Sequence, residues 1–87
     1  MYYIIVYDCG VDRVNLLRTF LRQYLNWVQN SVFEGELTKA QYMEVVKRIK
    51  EIVDDAVDSV LIYEIHDKKW LRNELIGIEK AKKDNII

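Results

Sequence analysis

An apolar run, YYIIVY, ends on Asp8, and the residues that follow are Cys9 and Gly10. A carboxylate at the end of a rigid strand can do two things. It can accept backbone amides as an Asx-type turn or cap, or it can act as a hard oxygen ligand for Mg²⁺ or Mn²⁺ with its rotamer controlled by the strand. One carboxylate is a poor metal site by itself. A two-fold dimer duplicates every residue near its axis and would set a second Asp8 beside the first. Arg13, Arg18 and Arg22 come next; guanidinium forks suit phosphates, and a solvated helix face is the plainer account of them. His66 beside Asp67 reads as a polar loop pair or a proton shuttle. Trp27 and Trp70 suit core or interface packing before base stacking. There is no Gly-rich phosphate loop, no Ser/His/Asp set and no paired-His metal spacing. A single Cys and a single His are too few for a Cys/His zinc site.

The elements that must position these residues are legible in the periodicity. Residues 2–7 are aromatic and β-branched and carry no charge, the mark of a strand buried on both faces. Asp12 is the expected N-cap of a helix reaching about residue 25, with Val14, Leu17, Leu21 and Leu25 as its apolar stripe, widened by Phe20 and Tyr24. Arg18 and Arg22, four apart, share its opposite side. Residues 27–37, WVQNSVFEGEL, are strand-like with turn formers inside them, and form either a short hairpin or one bent strand. Thr38 with Gln41 matches a capping box. The helix it opens runs to about residue 54 with Tyr42, Val46, Ile49 and Val53 on one face. Residues 59–65, SVLIYEI, are another strand. HDKKW reads as a loop, LRNELIGIE supplies a short edge strand around residues 75–79, and residues 80–87 read as a charged tail. This order predicts an α+β fold: a ferredoxin-like βαββαβ sandwich with the helices on one face of an antiparallel sheet, plus a short C-terminal edge strand. It makes one domain of residues 1–79.

The totals narrow the class. The 87-residue chain has a formal charge of −1, so no overall basic field advertises nucleic acid. Residues 1–33 and 60–87 each sum to +1 and residues 34–59 to −3, so a polyanion site would have to be built from local clusters. With 51% apolar residues in so small a chain, part of the apolar surface is expected to be covered by a partner, which points to an oligomer. The lone Cys9 fits a reducing, cytoplasmic compartment. The N-terminal apolar run is too short for a signal peptide, and no stretch is long enough to span a membrane.

The strand ending VYD, the Arg-bearing helix, VQNSVFEGELT with its capped helix, and DSVLIYEI together resemble the Cas-two family of CRISPR-associated proteins, in the right order over about residues 2–65. QNSVFEGEL is the specific part. IGIEK is similar to members whose last strand joins the partner's sheet. The resemblance implies a ferredoxin-fold homodimer of the spacer-acquisition stage that works with the Cas-one integrase, with Mg²⁺-dependent (or Mn²⁺-dependent) endonuclease activity on RNA or duplex DNA. It implies that Asp8 is the metal ligand and catalytic residue. Tyr7 falls on the aromatic position before it, Arg13 on the first basic position of the first helix, and Ser31 and Phe33 on the motif of the second strand region. Nucleic-acid contacts are accordingly expected from Tyr7, Arg13, Arg18, Arg22, Ser31 and Phe33. Two departures stand out. Asn15 and Leu16 replace basic residues that many members carry at the start of the first helix, and Trp27 stands where many have Arg or His. Both thin the phosphate grip and leave the metal ligand intact. The rival expectation is a scaffold without chemistry, a dimer that holds duplex DNA by its backbone and docks integrase subunits. A small-ligand regulatory domain of the same fold is a third.

Overall fold

The computed structural model describes residues 1–81. Seven consecutive residues, Tyr2–Asp8, form strand β1, and helix α1 follows at Val11–Leu21. Strands β2 (Asn26–Gln29) and β3 (Val32–Glu36) come next, then helix α2 (Lys39–Ile52), strand β4 (Ser59–Ile65) and a 3₁₀ turn at Lys68–Trp70. The four strands are antiparallel in the order β2-β3-β1-β4, so β1 is central and flanked by β3 and β4. This is the expected ferredoxin-like α+β architecture, with both helices contributing to one core against one face of the sheet.

Alternation along β1 decides what each residue meets, because successive strand side chains point to opposite faces. Tyr3, Ile5 and Tyr7 join Phe33, Leu17, Leu21, Leu25, Val45 and Ile49 in the buried core. Tyr3 stacks on Tyr42 of α2 with ring centroids 4.5 Å apart. Tyr2, Ile4, Val6 and Asp8 face the other way. The register sets Val32, Val6 and Leu61 in one row of that face, and Glu34, Ile4 and Tyr63 in the next. Tyr2 is buried, its hydroxyl donating to Glu34 Oε2 at 2.6 Å. The middle of the face is not covered: Leu61 and Tyr63 are 52% and 51% exposed. Burial of β1 on both faces is therefore only half realised within one chain, since the helices cover one side alone.

Residues 27–37 resolve as a hairpin. Asn30, with φ 45°, makes the left-handed turn that Asn tolerates, the indole N–H of Trp27 donates to the Asn30 carbonyl at 3.0 Å, and the register shifts between Trp27 and Gln29. Helix α1 departs from expectation at both ends. Its N-cap is Gly10 with no side-chain cap, so Asp12 is not the cap, and it closes at Leu21, with residues 22–25 turning back towards β2. Helix α2 carries the expected box: Thr38 Oγ1 accepts from the Gln41 N–H at 3.1 Å, and Gln41 Oε1 accepts from the Thr38 N–H at 2.9 Å. Its buried stripe is Val45, Ile49 and Ile52, with Tyr42, Val46 and Val53 half-buried at its margin.

The C-terminal edge strand expected at residues 75–79 does not form among the described residues. A strand exists only when an edge pairs with it, and this segment makes no ladder with β2 or β4. Gly77 interrupts it at φ 101°, and Ile76 and Ile78 are exposed. Of the expected tail, residues 82–87 lie outside the described residues. No described helix is long and apolar enough to cross a membrane.

Replacing Thr38 by Ala removes one half of the reciprocal cap at an exposed position. It is expected to lower unfolding free energy by about 1 kcal/mol in urea denaturation, while Thr38→Asp stays near wild type.

Candidate metal and nucleic-acid site

Asp8 closes β1 directly opposite Ser59, the first residue of β4. Its side chain lies on the open face, beyond Val6. It is exposed, and its carboxylate has no hydrogen bond or ion pair among the described residues. A hard oxygen donor unclaimed by any cation among the described residues fits Mg²⁺, which keeps several waters and takes only one or two protein carboxylates. Among the described residues no group of three His, Cys, Asp or Glu could enclose a metal ion. Asp8 therefore stands among the described residues as a lone candidate ligand.

Directly behind Asp8 lies a carboxylate of the opposite kind. Asp58, in the turn between α2 and β4, has a side chain only 1% exposed. Its Oδ2 accepts from Arg13 Nε at 2.7 Å and from the Asp54 N–H at 2.8 Å, and its Oδ1 accepts from Arg13 Nη2 at 2.8 Å and the Gly10 N–H at 3.0 Å. Cys9 Sγ donates to Oδ2 at 3.6 Å. The Arg13 fork, joined by the amides of Asp54 and Gly10, holds the Asp58 carboxyl far below the usual carboxylate range against the opposing effect of burial, and the same pairing drives the Arg13 guanidinium up. Burial, then the Asp58 charge, pushes the Cys9 thiol up, so Cys9 is no thiolate nucleophile at neutral pH.

This arrangement corrects several expectations. Arg13 is not a free phosphate fork: Nε and Nη2 grip Asp58, and Nη1 donates to Asp12 at 2.8 Å. Tyr7 and Phe33 are core rings, 4% and 0% exposed and stacked 6.2 Å apart, so no base can reach either face. The Tyr7 hydroxyl is buried without a partner. Ser31 sits half-buried beside the hairpin turn, where its carbonyl accepts from the Tyr7 N–H at 3.1 Å, a role of its backbone. Arg18 and Arg22 are exposed and line a shallow hollow on the outer side of α1 with Asn15 and Thr19. Arg22 also lies over the Trp27 ring, 5.7 Å from its centroid. His66 and Trp70 are exposed. Asp58 is the residue that the sequence reading missed. Its signal was positional: an Asp just before the strand that pairs with the end of β1, and an Arg just after the glycine that leaves it.

Comparison with known proteins now bears on the same residues. The sequence profile of the family described as "CRISPR associated protein Cas2" matches residues 1–73. The chain belongs to the Cas2 family. It is 53% identical, over the whole of both chains, to a protein of Methanosarcina acetivorans named "CRISPR-associated endoribonuclease Cas2". It is 48% identical, again over both whole chains, to the Pyrococcus furiosus protein of the same name. A solved structure described as "Crystal structure of cas2" superposes with a TM-score of 0.86 at 49% identity, covering 93% of this chain and 91% of the other. Streptococcus pyogenes Cas2 superposes at 0.78 with 28% identity, covering 88% and 100%. The four-stranded antiparallel sheet with two helices is therefore the Cas2 fold.

Because the folded-state pKa of Asp58 is depressed, its contribution to stability is complete above the unfolded value of ~3.9 and is lost as pH falls from there towards the folded value. Urea unfolding of the wild type is expected to show a plateau down to about pH 5 and a decline below it. Asp58→Asn is expected to start from a lower plateau and to show a shallower acid limb.

Proposed function

We propose that two copies of the chain pack open face to open face, that the paired Asp8 carboxylates hold Mg²⁺, and that the dimer cleaves phosphodiester bonds of RNA. One observation carries this reading: Asp8, exposed and without a partner among the described residues, ends the same face of β1 whose middle, Ile4, Val6, Leu61 and Tyr63, is left open by the described residues. A two-fold operation that covers the apolar rows duplicates Asp8 at the edge of the interface. The names of the relatives, endoribonucleases, favour RNA over duplex DNA as substrate.

Each side chain has a limited task. Two facing Asp8 carboxylates repel one another until a cation joins them, which makes the site selective for a divalent ion. Mg²⁺ held there supplies charge neutralisation and Lewis acidity at a phosphoryl oxygen, with Mn²⁺ as a substitute. Arg18 and Arg22, on the outer side of α1, hold backbone phosphates, so binding is weak, salt-dependent and indifferent to sequence. Arg13, committed to Asp58, leaves only this thin grip. That thinness favours the second reading, a scaffold of spacer acquisition that holds duplex DNA and docks a Cas-one integrase without cutting. Both readings place the dimer in a reducing cytoplasm, in accord with the free thiol of Cys9.

Two measurements test the reading. Light scattering is expected to give twice the chain mass, and Leu61→Glu, which sets a charge on the apolar face, to raise the dimer dissociation constant by about 100-fold or more. A monodisperse wild-type monomer at micromolar concentration sinks the shared site. In a nuclease assay on RNA and duplex DNA with Mg²⁺, Mn²⁺ and chelator, Asp8→Asn is expected to lose more than ~100-fold in rate, beyond the ~10–100-fold typical of losing an outer partner of a metal site, with the dimer retained. A folded dimeric Asp8→Asn protein that still cuts refutes the metal role, and a wild type that cuts nothing with either ion favours the scaffold.

A further inference from the structure

We infer that Asp58 is a positioning residue for Asp8, fixing the main chain on which the candidate metal ligand is carried; the inference rests on Asp8 being that ligand. Asp8 stands where β1 loses support on one side. The β1–β3 register ends at Val6 and Val32, and the Tyr7 N–H to Ser31 carbonyl bond is the last link on that side. On the other side Asp8 still pairs with Ser59. Its own carboxylate has no hydrogen-bond partner among the described residues, so no side-chain contact holds its rotamer. The chain then passes through Cys9 and Gly10 into α1, and the first fixed point it meets is Asp58, which accepts the Gly10 N–H at 3.0 Å. Asp58 and Ser59 are neighbours in sequence. Two consecutive residues of one segment therefore hold the chain in succession: Ser59 pairs with Asp8 in the sheet, and Asp58 takes the Gly10 N–H two residues later.

This hold is itself rigid. Asp58 is held from a third direction by the Asp54 N–H at 2.8 Å and from a fourth by the two-pronged grip of Arg13. The guanidinium lies so close over the chain that a β carbon on Gly10 would sit 2.5 Å from Arg13 Nη2. Gly10 has φ −58°, which any residue adopts, so a side chain there would be resisted by the Arg13 guanidinium, which would have to shift, and not by the backbone. A metal ligand must be held within a fraction of an ångström of its working position, and residues behind it commonly supply that precision. In this chain the supporting group grips the main chain two residues past the ligand, at Gly10, and makes no bond to the ligand's carboxylate. Asp58 consequently tunes how well the site is preorganised without touching the metal or the nucleic acid.

Binding of Mn²⁺ to the dimer, followed by electron paramagnetic resonance without nucleic acid, tests this on wild type, Asp8→Asn, Asp58→Asn, Gly10→Ala and Thr38→Ala. Leaving nucleic acid out removes any influence of phosphate contacts. Asp58→Asn is expected to weaken Mn²⁺ binding by about 10–100-fold. Gly10→Ala, which displaces Arg13 and alters no charge, is expected to weaken it several-fold, with dimer mass and circular dichroism unchanged in both. Thr38→Ala lowers stability far from Asp8 and is expected to bind as wild type. If folded Asp58→Asn and Gly10→Ala bind Mn²⁺ like wild type while Asp8→Asn does not, the positioning role is overturned and Asp8 remains the ligand. If Thr38→Ala weakens binding as much as they do, the effect is general loosening and the inference fails. If Asp58→Asn does not fold, Gly10→Ala decides alone. If wild type binds no Mn²⁺, or Asp8→Asn binds it equally, the metal reading has failed and this inference with it.

Discussion

One buried carboxylate ties together three parts of the chain that have no covalent reason to meet. Asp58 accepts from the loop after β1, from a side chain of α1 and from the turn that ends α2. Each donor alone would leave part of a buried negative charge unsatisfied, at heavy cost in a dry setting. Together they surround it, and the bonds to Arg13 are of the short, charge-assisted kind. The end of β1, the start of α1 and the start of β4 are consequently tied to one another. This explains how α1 starts without a side-chain cap of its own: the group that satisfies its entry comes from 48 residues further along the chain.

The second constraint is the central place of β1. A strand flanked on both edges and covered by helices on one side must use alternate residues for separate purposes. Tyr3, Ile5 and Tyr7 serve the core of one chain, whereas Ile4, Val6 and Asp8 belong to the face opposite α1 and α2. The candidate chemistry sits on the second set. A Cas2 chain of this kind folds with one row of side chains and leaves the other open, and Asp8 takes its place from the fold while presenting its charge on the open face.

Local signals in the sequence were legible where they were self-contained. Thr38 and Gln41 form their box within four residues, and Asn30 makes its turn through its own backbone preference. What depended on distant chain was not legible. Arg13 looked like a phosphate fork because its partner, Asp58, lies 45 residues away along the chain. Tyr7 and Phe33 carried a family motif, yet the register places them ring to ring inside the core. The apolar pattern of residues 75–79 suits a strand, but alternation within a segment does not reveal whether an edge is present to pair with it. For the site itself, the position of Asp8 was readable from the end of one apolar run; the device behind it was not.

The alternation of β1 has a genetic corollary. A one-residue insertion or deletion between Tyr2 and Asp8 would turn every later side chain of the strand over, sending tyrosines outward and Asp8 towards the helices. Such a frame slip would erase core, open face and carboxylate in one event. Substitutions within the strand separate by parity. Changes at odd positions answer to the chain's own helices. Changes at the even positions Ile4, Val6 and Asp8 escape that packing and alter only what the open face presents.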